Sequence, residues 1–230
     1  MRDDICTIPV SEVFEVNDGC PICRMKKTVE DHIIDYIMGA AMMEPDVRIE
    51  TNKIGFCLEH YEKMLSHKGR LQLALMLETH IDFLNDNILK NNILISNKKT
   101  AKKSDQITNE CFICNKINWG MERMINTIYR CYETERDFRD LFSKQTNFCL
   151  THYNLLVEGA GKNNMPKYHR EFVNEITKIV KNYSKNLSTD LKNYCKVYSY
   201  NNNKNDCDWE NAKDSVERSI SFLSGKYFSE

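Results

Sequence analysis

Turn-forming residues are scarce in this chain: eight glycines and four prolines serve 230 residues. The long segments between them carry apolar side chains at steps of three and four, the period of a helix, and no alternation suggests a sheet. No run of 18 apolar residues occurs, so no membrane-spanning helix is expected. Behind Met1-Arg2-Asp3-Asp4-Ile5-Cys6 there is no apolar segment either, and an ordinary secretory or lipoprotein leader is not expected. Charge of one sign is also missing, with 32 Lys and Arg against 33 Asp and Glu. Global charge therefore gives no argument for a nucleic-acid or membrane partner. The motifs of catalysis are absent too: no nucleophile motif, no glycine-rich phosphate loop, and no carboxylate set beyond an Asp/Arg pair. These absences leave an all-α, cytoplasmic protein that leans away from being an enzyme.

What the chain does have is cysteine, ten in all. In a cytoplasmic setting these read as thiols and metal ligands, not as a disulfide framework. Eight residues form a pattern. Cys20 and Cys23 form a C-x2-C pair, followed by the C-x2-H pair Cys57 and His60. Cys111 and Cys114, then Cys149 and His152, repeat the pattern at an offset of 91 or 92 residues. Three thiolates and an imidazole make a full tetrahedral set, for which zinc is the default and an iron–sulfur cluster the alternative. The repeat extends beyond the thiols. Asp46-Val47-Arg48 matches Asp137-Phe138-Arg139, and the run from His80 to Asp86 matches that from His169 to Glu175.

The repeat predicts two pseudo-repeats of about four helices, each with its own Cys3His site. The first covers 1–96 and the second 110–190. A polar, lysine-bearing linker at 97–109 joins them, and an extension at 191–230 ends in a closing helix. Each ligand pair should open a helix, where free N–H groups favour thiolate. The predicted helices run from Ser11 to Val16, from the first thiol pair to Ala40, from Cys57 to Gly69, and from Arg70 to about Ile95. In the second repeat they run from Cys114 to about Glu133 and from Arg136 to Phe142, with Gly159-Ala160-Gly161 as a break. Tyr194 to Tyr200 reads as a short strand or a helix tail, and Trp209 to Leu223 as the closing helix.

Four further features are ambiguous. His80 and His169 lie in line with apolar helix faces. Core packing or support of a ligand is expected there ahead of direct ligation, which would open the site to chemistry. Asp46/Arg48 and Asp137/Arg139 read as a cap with a structural ion pair, or as cleft ion pairs that bind an anion. Cys20-Pro21-Ile22-Cys23 also resembles a thiol–disulfide exchange pair, but it lacks the preceding strand such pairs require. The basic stretch Lys162 to Lys196 reads as the solvated side of a long helix ahead of a nucleic-acid face. Cys6, Cys131, Cys195 and Cys207 have no matched counterparts.

The residues C-P-I-C-R (20–24), D-V-R (46–48), G-F-C-L-E-H (55–60), L-A-L-M-L-E-T-H (73–80), D-F-R (137–139) and F-C-L-T-H (148–152) resemble a bacterial family of unknown function. That family is common in Clostridia and their relatives. Some members carry the label of ABC transporter substrate-binding proteins, although this chain has no two-lobed α/β pattern. The resemblance implies the duplicated Cys/His module and no activity. The remaining expectation is a binding or scaffold protein whose partner is another protein, a peptide or a small ligand. A metalloenzyme or redox protein using His80 and His169 is the alternative.

Overall fold

Scarce glycine and proline translate directly into long helices. The computed structural model describes residues 7–89, 102, 104–105, 107–162, 165–199 and 208–225. It is 83% helical, with eleven α-helices and no strand among the described residues. In order these are α1 (Thr7–Glu15), α2 (Pro21–Met38), α3 (Pro45–Ile54), α4 (Leu58–Ser66) and α5 (Arg70–Leu84). They are followed by α6 (Phe112–Thr134), α7 (Arg136–Ser143), α8 (Leu150–Lys162), α9 (His169–Val197), α10 (Trp209–Ala212) and α11 (Ser215–Ser224). A 3-10 turn, Ala40–Met43, follows α2, and a π turn, Asn85–Leu89, extends α5. No described helix is long and apolar enough to cross a membrane.

Several boundaries differ from the sequence expectation. Ser11 lies inside α1 instead of capping it. The helix from Arg70 ends as α-helix at Leu84, and 90–95 lie outside the described residues. Helix α8 runs straight through Gly159-Ala160-Gly161. Gly159 serves close packing: a Cβ there would collide with the Tyr129 hydroxyl. Tyr194 belongs to the tail of α9, and Tyr200 lies outside the described residues. Of the expected linker, 97–101, 103 and 106 lie outside them as well, and the rest is helical.

The compact units do not follow the halves of the sequence. One unit is Met1–Lys26 with Glu122–Glu230, and the other is Lys27–Met121. Both divisions fall inside helices, α2 and α6. Helix α2 shows the consequence along its own length. Met25 is buried, Val29 and Ile33 are partly buried against the core formed farther on by Ile34, Ile37 and Met38, and Tyr36 is half exposed. Its first turns bury into one core and its later turns into another.

The core of the first unit is aromatic. The Phe142 ring lies 5.7 Å from Phe14, 5.1 Å from Tyr132, 5.1 Å from Phe148 and 5.0 Å from Phe172. Offset and edge-on ring pairs of this kind add about 0.5–1.5 kcal/mol each beyond simple burial. Buried Gln145 donates to the Phe14 carbonyl at 2.6 Å, fastening α1 to the loop before Cys149. Glu133 on α6 accepts the amides of Lys167 and Tyr168 at 3.0 and 3.2 Å, satisfying N–H groups at the start of α9. The second unit has an aliphatic core of Ile34, Ile37, Met64, Leu73, Met76, Ile113 and Ile117, with Phe112 buried among them.

Candidate metal centres

Four helices begin in the same way. Cys20, Cys57, Cys111 and Cys149 each stand just before a helix, and each carbonyl accepts the first intrahelical bond, at 3.2, 3.0, 3.0 and 2.8 Å. The second member of each pair, Cys23, His60, Cys114 or His152, falls three residues on, in the first turn. A side chain at the cap and one three residues later lie side by side there, as in a capping box. The Cys114 amide reaches the Cys111 sulfur at 3.5 Å. Exposed N–H groups and the positive end of the helix dipole favour the thiolate form that a cation needs.

The eight side chains form two groups, but not the expected ones. Cys20 and Cys23 meet Cys149 and His152, while Cys57 and His60 meet Cys111 and Cys114. Each centre thus takes one ligand pair from each half of the sequence. The expectation of one site within each repeat is corrected, and helix length explains why. Helix α2 spans 18 residues, about 27 Å at 1.5 Å per residue. It carries the chain away from Cys20 before Cys57 is reached. Helix α6, 23 residues long, does the same for the chain leaving Cys111. Each centre lies wholly within one compact unit.

The spacing fits a single ion. Bonds of about 2.3 Å to sulfur and about 2.0–2.1 Å to nitrogen imply tetrahedral edges of about 3.8 Å (S···S) and about 3.6 Å (S···N). Cys23 and Cys149 sulfurs are 3.7 Å apart, and Cys57 and Cys114 sulfurs 4.0 Å. His152 Nδ1 lies 3.6, 3.3 and 3.1 Å from the sulfurs of Cys20, Cys23 and Cys149. His60 Nδ1 lies 3.1, 3.3 and 3.5 Å from those of Cys57, Cys111 and Cys114. All eight residues are described, and the cysteines are free thiols. In both centres the ligand atoms lie within 4.8 Å of one another, so each group can hold a metal ion.

The protonation chemistry agrees. Burial disfavours the His60 imidazolium, but contacts with the Cys111 and Cys57 sulfurs outweigh it and raise the group to about 9. Burial pushes Cys111 up, yet its contact with His60 and amide donors nearby bring it down to about 6. Burial and the Cys111 sulfur push Cys114 up to about 12. In the other centre burial opposes, but the cysteine sulfurs raise, His152 to about 9. There, contact with Cys149 and Cys20, together with burial, raises Cys23 strongly. Cys20 is drawn well below its ordinary value, against its burial, by Cys149, Cys23 and His152. In the absence of a cation, each centre therefore holds a thiolate–imidazolium pair beside a thiol held protonated, Cys114 in one and Cys23 in the other, and a cation would displace those protons.

His80 and His169 belong to neither group. His80 Nδ1 donates to the Asn52 carbonyl at 2.7 Å, and its ring lies against Gly55. It braces the turn before Cys57 from behind. His169 opens α9, with its Nε2 near Gly161. The two D-x-R motifs are corrected as well. Among the described residues neither Asp46–Arg48 nor Asp137–Arg139 forms an ion pair. Arg48 donates to the Leu75 carbonyl at 2.7 Å and to Thr79 Oγ1 at 2.5 Å. Arg139 donates to the Tyr132 carbonyl at 2.8 Å and stacks on Tyr168 with its guanidinium 4.2 Å from the ring centre.

Two participants escape motif reading. Glu30 on α2 accepts from His60 Nε2 at 2.8 Å and from Lys63 Nζ at 2.7 Å. Gly225, in the left-handed conformation at the end of α11 (φ 69°), places its carbonyl 3.4 Å from the Cys23 sulfur. Only the repeat itself held a hint of the first. At the matched offset, Glu30 corresponds to Met121, so an acid stands where its counterpart is apolar.

No curated protein and no solved structure matches this chain. A family does match, across residues 1–230. The chain belongs to the family of unknown function DUF6062.

Proposed function

We propose that this is a metal-stabilised helical binding or scaffold protein of the bacterial cytoplasm, with one zinc ion at each Cys3His centre. The observation that carries the reading is the near-tetrahedral spacing of four ligand atoms in each group. Three thiolates and an imidazole already complete the shell, leaving no position for water or substrate. A closed set of this kind is structural, and its binding energy is folding energy. Ligand atoms this close together support a single ion over a multi-iron cluster, which needs room between its cysteines. The metalloenzyme alternative loses support because His80 and His169 stand outside both groups.

The binding part of the reading is supported by a cleft of ≈ 570 Å³ between α9 and α11. Buried Leu187 and Phe222 line it, with Lys192 and Lys196 exposed beside them. A protein, peptide or small ligand with apolar surface and negative charge would suit such a lining. The direct test is metal analysis of protein purified under reducing conditions. About two equivalents of zinc per chain, with loss of helical circular dichroism on chelation, is the expected result. Protein that is folded and cooperative without bound metal would overturn the reading.

A further inference from the structure

The two centres have the same ligands but different surroundings. In the Cys57/His60/Cys111/Cys114 centre, His60 turns Nδ1 toward the thiols and gives Nε2–H to Glu30 Oε1 at 2.8 Å. The other carboxylate oxygen is held by Lys63 at 2.7 Å, and Lys63 also pairs with Glu59 at 3.3 Å. Glu30 thus fixes the tautomer and ring plane that present Nδ1 to a cation, and it raises the basicity of that nitrogen. Lys63 keeps the added carboxylate from loading a centre whose three thiolates already exceed the charge of a divalent ion.

The Cys20/Cys23/Cys149/His152 centre has neither device. At the matched sequence positions Glu30 becomes Met121 and Lys63 becomes Leu155. Among the described residues no carboxylate contacts His152 Nε2. What this centre has is a cavity of ≈ 380 Å³ bordered by the sulfur-bearing residues Cys20, Cys23 and Cys149, and by Asn147, Tyr183 and Arg218. The cation of that lining is already committed: Arg218 bonds Asp190 at 3.1 Å and Asp214 at 2.9 Å. At the C-terminal cap of α11 the Gly225 carbonyl lies 3.4 Å from the Cys23 sulfur.

Resting on the zinc reading above, we infer that the Glu30-backed centre is the permanent one, and that the Cys20/Cys23/Cys149/His152 centre exchanges its divalent d10 ion with solution through the cavity. Exposure alone would rank them in the opposite order, because Cys57 and Cys114 are half-buried while all four ligands of the other centre are buried. Affinity is set by free energy and not by depth. A centre of three thiolates and one divalent ion carries a net negative charge, and burying that charge without a free counter-charge costs more the deeper it lies. Depth therefore works against retention here, while the missing carboxylate removes a contact usually worth 10–100-fold in affinity.

The test is competition between the full-length, two-zinc protein and a chromophoric zinc chelator at equilibrium. Two release phases separated by about 10-fold or more are expected. Cys149→Ser should abolish the weaker phase and leave the tighter one. Glu30→Ala should weaken the tighter phase by about 10–100-fold, with Glu30→Gln, which keeps an acceptor, falling between. Lys63→Met should weaken the same phase without touching Glu30. A general structural role for Glu30 would shift melting temperature without changing release at one centre selectively. Fewer than two zinc ions bound by the wild type at zinc saturation would overturn the zinc reading itself. Two ions released in one phase, a weaker phase that survives Cys149→Ser, or a tighter phase indifferent to both Glu30→Ala and Lys63→Met would overturn this inference alone.

Discussion

Phe112 donates its amide N–H to the carbonyl of Gly55 at 3.0 Å. That bond ties the start of α6, which carries Cys111 and Cys114, to the turn that delivers Cys57 and His60. The matched positions in the other centre are Pro21, which has no N–H, and Asn147. A donor lost on one segment thus coincides with a changed residue on the segment that pairs with it. The change is intelligible only when the ligand pairs are crossed between the halves.

Crossed pairing has a stoichiometric consequence. Cys20→Ser and Cys149→Ser should each reduce bound zinc from about two equivalents to about one, and the double variant should still hold about one. Cys20→Ser combined with Cys57→Ser should hold none. Pairing within each repeat requires the reverse, so metal analysis of the two double variants decides between them.

Gly55 has φ 69° and ψ −159°, a combination open essentially to glycine alone. A Cβ there would also lie 2.9 Å from His80 Nε2. Gly55→Ala should therefore cost about 1–3 kcal/mol in urea unfolding of the loaded protein. Adding His80→Ala removes the collision but not the backbone strain. Full recovery in that double variant would mean that the collision alone sets the cost.

At Gly159 the cause is packing. Gly159→Ala should destabilise by about 1–3 kcal/mol, the usual range for overfilling a close contact. The obstacle is the Tyr129 hydroxyl, whose own bond to the Leu156 carbonyl measures 3.1 Å. Tyr129→Phe should be mildly destabilising alone yet partly rescue Gly159→Ala. Additive losses in the double-mutant cycle would refute this assignment.

Metal binding should depend on pH with a definite sign. Near pH 7 a cation at the Cys57 centre must displace protons from His60, raised to about 9, and Cys114, raised to about 12, while Cys111, lowered to about 6, is already ionised. Apparent affinity should fall by at least about two logarithmic units for each unit of acidification, and more steeply below about pH 6, where Cys111 also binds a proton. Competition titrations in the Cys149→Ser background isolate this centre. A slope that is flat between pH 5 and 8 would contradict it.

Without a metal the same groups should tune stability. His60 and His152 have raised values, so their contributions are present below their ordinary 6.5 and are lost as pH rises through about 9. Cys111 has a lowered value, and its contribution is lost as pH falls through about 6. For the metal-free protein, the thiolate–imidazolium contribution of the Cys57 centre should be greatest between about pH 6 and 9. The readout is how far a stabilising osmolyte restores helical circular dichroism to the chelated protein across that range, compared with His60→Ala.

The sequence by itself determined the helical class, the eight ligand-type side chains and the helix start at each pair. Those depend on local spacing: C-x2-C and C-x2-H place two donors on one first turn, and few glycines or prolines interrupt the helices that these turns open. Which pairs meet was decided only by tertiary structure, because the lengths of α2 and α6 set where the chain next returns. The same holds for Glu30. Nothing near it in sequence says that His60, 30 residues on, will offer it an N–H. His80 shows the reverse, a residue type that invites a metal role by composition, whose place on α5 instead points it at the Asn52 carbonyl. Local spacing fixes what a turn of helix presents, and only packing fixes what it is presented to.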